Sequence, residues 1–257
     1  MSFMAHKLSE DALTIMDNLY KHEGAPVIET SLLRLSSAPE VAGLVPKAPL
    51  LADRLRDCAR HAGLDERELA LSSLYLTLHS AGAQYMPEED EILARAHGIP
   101  KQPGGMTPIL LSAPFVKPES TVVELGAGNG LQGLLLQSLA RHAQTVMVEI
   151  SGSLIETGRV LQRAMGLKDE SVRWHHADLL EADLPALVGG PPDLLYMYRP
   201  VKPAGRGRRL YERIAEWIQE WPGGQAIMSV ADCMSPFLGP GVKKLYEDEY
   251  LSVYMKD

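Results

Sequence analysis

Three glycines and one acidic residue in the middle of the chain have the types and spacing needed to bind a nucleoside. The stretch VVELGAGNGLQG, residues 122–133, contains Gly126, Gly128 and Gly130. Glycine tolerates the crowding and the dihedral angles of a strand that turns sharply into a helix beneath a closely approaching ligand. Glu149, in the next apolar segment TVMVEI, is placed to accept hydrogen bonds from ribose hydroxyls. Together these residues predict an adenosine site.

The glycine stretch fits two different cofactor patterns. Gly128, Gly130 and Gly133 spell the G-x-G-x-x-G of dinucleotide-binding enzymes, whereas Glu124, Gly126, Gly128 and Gly130 spell the acidic-x-G-x-G-x-G of methyltransferases. Glu124 favours the second pattern. A carboxylate at that position suits the ammonium group of an amino-acid moiety and would repel a pyrophosphate.

Strand and helix patterns alternate after about residue 105, as they must if a sheet is to position this loop. The apolar segments TVVELG, TVMVEI, VRWHHAD and DLLYMY are separated by helical patterns and followed by a fifth strand, QAIMSVA. This alternation predicts a parallel sheet with helices on both faces. The last two segments, VKKLY and YLSVYMK, are joined only by EDE, which is too short for a helical crossover and predicts an antiparallel hairpin.

The first part of the chain, residues 1–104, shows helical patterns and no strand pattern. Ser9 is predicted to begin a helix that continues to Lys21, and another helix is predicted between Pro87 and Gly98. We expect this helical region to cover the carboxyl edge of the sheet as a lid, or to pair two subunits. The Pro- and Gly-rich run that follows would act as a hinge.

The strand and loop series resembles the class I S-adenosylmethionine-dependent methyltransferases over roughly residues 105–257. The segments that carry the resemblance are VVELGAGNG, TVMVEI, HHADLL, DLLYMY and PGGQAIMSV. It implies an α/β fold, a Rossmann-like sheet of seven strands in the order 3-2-1-4-5-7-6, with the last strand antiparallel. The chain then divides into a helical cap, 1–104, and an S-adenosylmethionine-binding domain, 105–257.

The same resemblance assigns roles to the residues of the glycine loop. Gly126, Gly128 and Gly130 would pass under the methionine part and the ribose of S-adenosylmethionine. Glu124 would stabilise either the loop or the ammonium group of the cofactor.

Further roles follow for residues at the ends of the next two strands. Glu149 would hold the ribose hydroxyls and Asp178 would read the edge of the adenine, while Ile150 and Leu179 would sandwich the ring. An Asp before a helix is also an ordinary capping residue, so a purely structural role for Asp178 stays open.

Candidate catalytic residues lie near the carboxyl end of the fourth strand, where this fold brings the substrate to the methyl group. Tyr198 could orient the acceptor, offer a cation-π face to the sulfonium or act as a base; packing under the cofactor is the alternative. His176, beside Asp178, is a candidate general base, with a structural role as the alternative. No residue spacing suggests a metal site.

A basic cluster follows that strand in an otherwise acidic chain. Arg199, Arg208 and Arg209 are candidate ligands for a carboxylate or phosphate on the acceptor. The alternative is a solvated helix start, although cations at a helix N-terminus oppose the helix dipole.

Composition narrows the class of partner. The formal net charge of −8 would repel phosphate backbones and anionic membranes, so we expect no nucleic acid and no membrane as partners. No stretch approaches the ~20 apolar residues that cross a bilayer, and the two cysteines are too few for a disulfide framework. We therefore expect a cytoplasmic protein.

The sequence thus predicts S-adenosylmethionine-dependent methyl transfer to a small-molecule acceptor, and an anionic group on that acceptor stays open. Methylation of a protein side chain is the main alternative, because the short helix after GGMTP and an open Tyr-Arg-Pro edge would suit an extended peptide. Other classes also stay open: an NAD(P)-dependent oxidoreductase, or a cofactor-binding protein without transferase activity. The helical region gives a possible homodimer interface.

Overall fold

The computed structural model describes residues 2–82, 85–96, 98 and 104–257 of the chain. Helices α1 to α6 precede the sheet, α7 leads into it, and α8 to α11 connect its strands. Their bounds are α1 Ser2–Asp17, α2 Ala25–Ser37, α3 Pro39–Leu44, α4 Ala48–His61, α5 Leu64–His79, α6 Pro87–Ala96, α7 Thr107–Ser112, α8 Leu131–Leu139, α9 Gly152–Met165, α10 Leu184–Val188 and α11 Arg206–Gln219.

The described residues form one sheet of seven strands, whose order β3-β2-β1-β4-β5-β7-β6 confirms the predicted topology. The strands are β1 Thr121–Leu125, β2 Gln144–Glu149, β3 Val172–His176, β4 Leu194–Tyr198, β5 Ala226–Val230, β6 Val242–Glu247 and β7 Leu251–Lys256. Strands β1 to β5 are parallel, whereas β7 is antiparallel to both β5 and β6. This order differs from the 3-2-1-4-5-6 of dinucleotide-binding sheets.

The order of the strands reverses at β1, which lies between β2 and β4. Glu124 of β1 is aligned with Met147 of β2 on one side and with Tyr196 of β4 on the other. Parallel sheets of this kind open a crevice at the carboxyl ends of the two strands flanking the reversal, because the connecting helices leave in opposite directions. The loops after β1, β2 and β4 therefore meet at one edge.

Alternation along the strands divides the apolar residues between two layers of helices. Val122 and Tyr196 point to the layer formed by α7, α8 and α9, whereas Val123 and Met197 point to the layer formed by α10 and α11. All four side chains are buried. Burial on both faces explains why these strands read as nearly continuous apolar runs in the sequence.

Helices α1 to α5 pack mainly on a face of the sheet, outside α8 and α9, and not over its carboxyl edge. Leu32 of α2, Leu71 of α5 and Leu134 of α8 belong to one continuous apolar core. The expectation that the whole helical region forms a lid is therefore wrong for α1 to α4, and of α5 only the C-terminal end reaches the carboxyl edge. The division of the chain at residue 104 and the pairing of two copies through this region stay predictions.

Helix α6 does lie at the carboxyl edge. It contacts α11, and the single described residue after it, Gly98, pairs with Val201 beyond β4. The predicted bounds of this helix are confirmed. The proposed hinge falls partly on residues 99–103, outside the described residues.

One helix start differs from the prediction. Ser9 lies inside α1, where its hydroxyl donates to the carbonyl of Ala5 in the preceding turn instead of capping the helix. Helix α7 begins at Thr107, with Met106 at the capping position. Among the described residues, no helix is long and apolar enough to cross a membrane.

Candidate functional site

A cavity opens at the carboxyl ends of β1, β2 and β4, directly above the reversal of strand order. Its walls come from the glycine loop, the loops after β2, β3 and β4, the end of α5, and α6 with Tyr85 just before it. The described residues lining it are His79, Tyr85, Ile92, Leu93, Gly126, Ala127, Gly128, Asn129, Gln132, Glu149, Ile150, Leu154, Asp178, Leu179, Leu180, Tyr198, Pro200 and Val201.

Two glycines of the loop have backbone geometry that brings the main chain close to this space. Gly126 has φ +72°, and a Cβ there would lie 2.8 Å from the Cβ of Pro200. Gly128 has φ +60°, and a Cβ there would meet no atom within 4 Å. Both positions thus require a left-handed conformation that disfavours other residues. The open space beside Gly128 lets a ligand approach its backbone.

Gly130, the last glycine of the loop, and Glu124, at the end of β1, are not among the described lining residues of the cavity. A Cβ on Gly130 would collide with the ring of Trp174, 2.3 Å away, so this glycine allows packing against β3. The Glu124 carboxylate accepts a hydrogen bond from the N–H of Gly133 at 3.0 Å. Of the two roles predicted for Glu124, this contact matches stabilisation of the loop, because it fixes the first turn of α8.

Glu124 is an unusual carboxyl group because it is buried and pairs with no cation among the residues that the structure describes. It is only 4% exposed. Burial raises its pKa to about 8, the N–H of Gly133 opposes this, and the nearby Glu149 adds to the increase. At neutral pH the protonated form therefore predominates. A neutral acid is a poor partner for an ammonium group.

Glu149 ends β2 and faces the cavity beside the glycine loop. Its two carboxylate oxygens accept from the N–H groups of Gly128 at 2.7 Å and Ser151 at 3.0 Å. Burial raises the pKa of Glu149, and these backbone donors oppose the change. The carboxylate is fixed between the loop and the start of α9, where its remaining lone pairs are available to ligand hydroxyls.

The three other residues predicted to contact adenine also line the cavity. Ile150 follows Glu149, while Asp178 and Leu179 follow β3. The Asp178 side chain accepts from the N–H of Leu180 at 2.9 Å, a local turn of the kind considered as the structural alternative. One of its oxygens is thus engaged within the loop.

The two candidate catalytic residues lie in different places. Tyr198 lines the cavity at the end of β4, and burial raises the pKa of its hydroxyl despite the opposing charge of Arg199. That direction disfavours Tyr198 as a base. His176 lies outside the cavity, where its Nε2 is 2.7 Å from the carbonyl oxygen of Ile150. This contact favours the structural alternative for His176.

The predicted basic cluster does not reach the cavity. Arg208 is exposed and donates to Glu212 one turn further along α11 at 2.7 Å, and Arg209 is exposed. Arg199 lies within electrostatic range of Tyr211 and Cys233, on the α11 side of β4. The sequence places these cations near the strand end, but helix geometry directs Arg208 and Arg209 to solvent. None of the three is among the described lining residues of the cavity, and their role as acceptor ligands stays a prediction.

Residues that the sequence did not indicate complete the cavity wall. Asn129, buried between Gly128 and Gly130, donates its side-chain amide to the carbonyls of Leu78, His79 and Ala81 at 2.9, 3.1 and 3.3 Å. These carbonyls lie at and just after the C-terminal end of α5, where helix carbonyls lack internal partners. The amide in the GNG triplet was the one available signal for this contact.

Gln132 makes a second connection between α8 and the helical region. Its side-chain amide donates to the hydroxyl of Tyr75 on α5 at 3.1 Å and to the carbonyl of Gly105 at 3.4 Å. Both Gln132 and Tyr75 are buried. Asn129 and Gln132 together hold the end of α5, including His79, beside the glycine loop.

Helix α6 is attached at the other side of the cavity through Glu89. One carboxylate oxygen accepts from the N–H of Gly152, at the start of α9, at 3.0 Å; the other accepts from the N–H of Met86 at 2.8 Å. Burial acts to raise the pKa of Glu89, but these backbone hydrogen bonds lower it overall, with help from His176. With α6 in this position, Ile92 and Leu93 form part of the cavity wall.

The donor and acceptor groups around the cavity fit S-adenosylmethionine. Glu149 offers carboxylate lone pairs to a diol, the space beside Gly128 admits a ligand against bare backbone, and Ile150 and Leu179 provide apolar surface for a planar base. Among the described residues, no group of His, Cys, Asp and Glu side chains is arranged to hold a metal ion.

Sequence comparison relates the chain to an enzyme of known reaction. It is 29% identical over 189 residues to the protein-L-isoaspartate O-methyltransferase of Xanthomonas oryzae pv. oryzae, covering 67% of this chain and 82% of the relative. No protein-family model matches the chain.

Solved structures with a similar backbone include two methyltransferases. An RNA methyltransferase from Salinibacter ruber in complex with S-adenosyl-L-homocysteine gives a TM-score of 0.41 at 18% identity, covering 67% of this chain and 91% of that one. A ribosomal protein L11 methylase from Lactobacillus delbrueckii subsp. bulgaricus gives 0.45 at 15% identity, covering 61% and 79%.

The strand order, the glycine loop with Glu149 and the similarity to an isoaspartate methyltransferase together define the class of protein. The chain is a class I S-adenosylmethionine-dependent methyltransferase. S-adenosylmethionine is its methyl donor. Within this class the sequence is similar to an enzyme that methylates isoaspartate, and the acceptor of this chain has to be inferred from its own site.

Proposed function

We propose that the protein transfers a methyl group from S-adenosylmethionine to a small-molecule acceptor inside the cavity. The observation that carries this proposal is the position of α6. Ile92 and Leu93 of α6 line the same cavity as Glu149 and Tyr198, and Glu89 ties the helix to the start of α9. A site covered in this way suits an acceptor that is enclosed completely.

In this proposal the donor is held by the residues that the resemblance assigned and that line the cavity. Glu149 accepts from the ribose hydroxyls, and Gly126 and Gly128 lie under the methionine part and the ribose. Asp178 reads the edge of the adenine, while Ile150 and Leu179 sandwich the ring. The donor carries its own leaving group, because the sulfonium sulfur becomes a neutral thioether when the methyl group is transferred. The protein therefore has to align the acceptor, exclude water and accept a proton.

Helix α7 gives no support to an extended peptide acceptor. The short helix after GGMTP suggested a peptide-binding edge, but Pro108, Ile109, Leu110, Leu111 and Ser112 are all buried. The helix packs against α1, α8 and β5 inside the apolar layer. A peptide docking there would have to displace part of the core.

Methylation of an isoaspartyl side chain is the second candidate. It is favoured by the similarity to the Xanthomonas enzyme, which is named for that reaction. Such a substrate carries a carboxylate as the methyl acceptor, on a chain that has to enter past α6.

The experiment that tests the proposal determines whether the labelled methyl group is transferred to a small molecule or to a macromolecule. The purified protein is incubated with methyl-tritiated S-adenosylmethionine and with either the ultrafiltrate or the macromolecules of a cell extract, or with an isoaspartyl peptide. We expect enzyme-dependent label in the small-molecule fraction, and no label when Glu149 is replaced by Gln. Label confined to precipitated protein or to the peptide would favour the second candidate.

A further inference from the structure

The charges around the cavity restrict what the acceptor can be. The described lining residues include two carboxylates, Glu149 and Asp178, and neither a lysine nor an arginine. Arg208 of the predicted basic cluster and the neighbouring Arg206 are paired with Glu212 and Glu181 at the surface. Arg199 follows Tyr198 and its charge acts on the Tyr198 hydroxyl, but its side chain is not among the described lining residues. An anionic acceptor in the cavity would therefore gain no direct contact with a described lysine or arginine of the lining.

The apolar and aromatic surface of the cavity identifies an acceptor side distinct from the two carboxylates. Tyr198, Pro200 and Val201 lie at and just after the end of β4. Tyr85 and Leu93 lie just before and on α6. Aromatic and aliphatic walls of this kind favour a flat, uncharged molecule.

One polar side chain at this site has no partner of its own in the part of the chain that the structure describes. The imidazole of His79 lines the cavity and makes a tilted ring contact with Tyr75, the centroids lying 5.8 Å apart. It makes no hydrogen bond or ion pair with a described residue.

The position of His79 relative to the methyl donor follows from the main chain. Its carbonyl accepts from the Asn129 side chain at 3.1 Å, so His79 lies beside the loop segment assigned to the methionine part and ribose. The sulfonium belongs to that end of the donor. Tyr198 lies at the carboxyl end of β4, the position at which the acceptor meets the methyl group in this fold.

We propose that His79 and Tyr198 form an acceptor subsite for an uncharged, hydroxyl-bearing aromatic molecule, with the hydroxyl hydrogen-bonded to the imidazole of His79. This inference rests on the proposed function and deepens it, since it names the class of acceptor. It assigns an acceptor-contacting role to a residue of the helical N-terminal region.

The methyl transfer balances with the groups that this subsite brings together. As the acceptor oxygen forms its bond to the methyl carbon, the sulfur keeps the electron pair of the broken S–C bond and becomes a thioether. The hydroxyl proton moves to the free imidazole nitrogen of His79, which later releases it to water. No further reactant is required.

The electrostatic surroundings of His79 agree with this role. Burial lowers the pKa of the imidazole to about 4, so the ring is neutral at physiological pH and can accept a hydrogen bond. Because of this low pKa, the protonated imidazole of His79 releases its proton readily at neutral pH.

A matched pair of fluorescent probes tests the subsite without knowledge of the natural acceptor. Umbelliferone carries an uncharged ring and a hydroxyl, and its ring-carboxylated derivative adds one negative charge. Binding of each is measured by fluorescence anisotropy to protein saturated with S-adenosylhomocysteine, at about pH 6, where both hydroxyls are protonated.

We expect umbelliferone to bind at least about tenfold more tightly than the carboxylate. His79→Ala should weaken its binding by about fivefold or more, whereas His79→Gln, which keeps an acceptor atom, should retain most of it. His61→Ala, at the exposed end of α4, should change nothing. Affinity for S-adenosylhomocysteine, measured by calorimetry, should stay within about twofold of the wild-type value in all variants. This result would show that each variant is folded.

Three results would overturn the inference: no binding of umbelliferone, equal or tighter binding of the carboxylate, or unchanged affinity in His79→Ala. A failure of the proposed function itself would give a different result. In that case the protein fails to bind S-adenosylhomocysteine, or transfers label only to protein.

Discussion

Asn129 in the glycine loop donates its side-chain amide to the main-chain carbonyl of His79, 3.1 Å away at the end of α5. The same amide also reaches the carbonyls of Leu78 and Ala81. The loop that lies under the methyl donor is therefore attached directly to the helical N-terminal region. Cofactor binding and the position of α5 should be coupled through this contact.

Replacing Asn129 by Ala should weaken binding of S-adenosylhomocysteine by about tenfold, because the carbonyls at the end of α5 lose their donor and the loop loses its support. Leaving buried carbonyls without a donor costs ~1–3 kcal/mol. Calorimetry measures the affinity and thermal melting the stability. Asn18→Ala is a suitable control, since Asn18 is also buried and bonds to Asp65, far along the chain from the loop. If both variants lower stability but neither alters affinity, the contact is structural only.

Replacing Glu149 by Gln should lower affinity for S-adenosylhomocysteine by ~10–100-fold, through a loss of ~1.5–3 kcal/mol for hydrogen bonds to a charged group. The amide keeps one acceptor for Gly128 or Ser151 but turns a donor toward the ribose. Glu170→Gln, at an exposed site paired with Lys168, serves as the control. Equal affinities for wild type and Glu149→Gln would show that the diol lies elsewhere.

Replacing Glu89 by Gln should speed release of S-adenosylhomocysteine by about threefold to tenfold, because α6 loses a charge-assisted contact to the start of α9. Stopped-flow displacement measures the release rate. Glu91→Gln removes an exposed carboxylate that pairs with Arg95 on the same helix, and should leave the rate unchanged. Equal acceleration in both variants would indicate a general loosening of α6.

The pH dependence of stability should carry a contribution from Glu124. In the folded protein its pKa is raised to about 8, so between its ordinary pKa and that value the folded state holds a proton that the unfolded state has lost. Stability then falls as pH rises through this window, by at most ~1.4 kcal/mol per pH unit for one group.

Denaturant titrations of wild type and Glu124→Gln measure this contribution. Between about pH 5.5 and 7.5 the wild type should lose up to ~2 kcal/mol more stability than the variant, which cannot ionise. Parallel curves for the two proteins would mean that Glu124 is ionised in the folded state.

The positions of most strands could be predicted because the sheet is buried on both faces, whereas the strand order was implied by the resemblance to a known family. Segments such as that of β1 are short apolar runs ending in polar residues, and the short link between β6 and β7 admits only a hairpin. Six residues predicted to bind cofactor line the cavity for the same reason, since each lies at or just after a strand end. Their direct contact with the cofactor stays a prediction.

The acceptor side could not be predicted from the sequence because it depends on tertiary placement. His79 lies far from the loop in sequence, and the side-chain amides of Asn129 and Gln132 hold the end of α5 beside it. Conversely, Arg208 follows β4 closely but points to solvent, because α11 directs it toward Glu212. Proximity in sequence to a strand end does not determine the direction of a side chain on the next helix.

The most direct test of the central claim is calorimetric titration of the purified protein with S-adenosylhomocysteine and, separately, with NAD. We predict stoichiometric binding of S-adenosylhomocysteine that is weakened in Glu149→Gln, and no binding of NAD. Binding of NAD without S-adenosylhomocysteine would contradict the assignment of this cavity to a methyl donor.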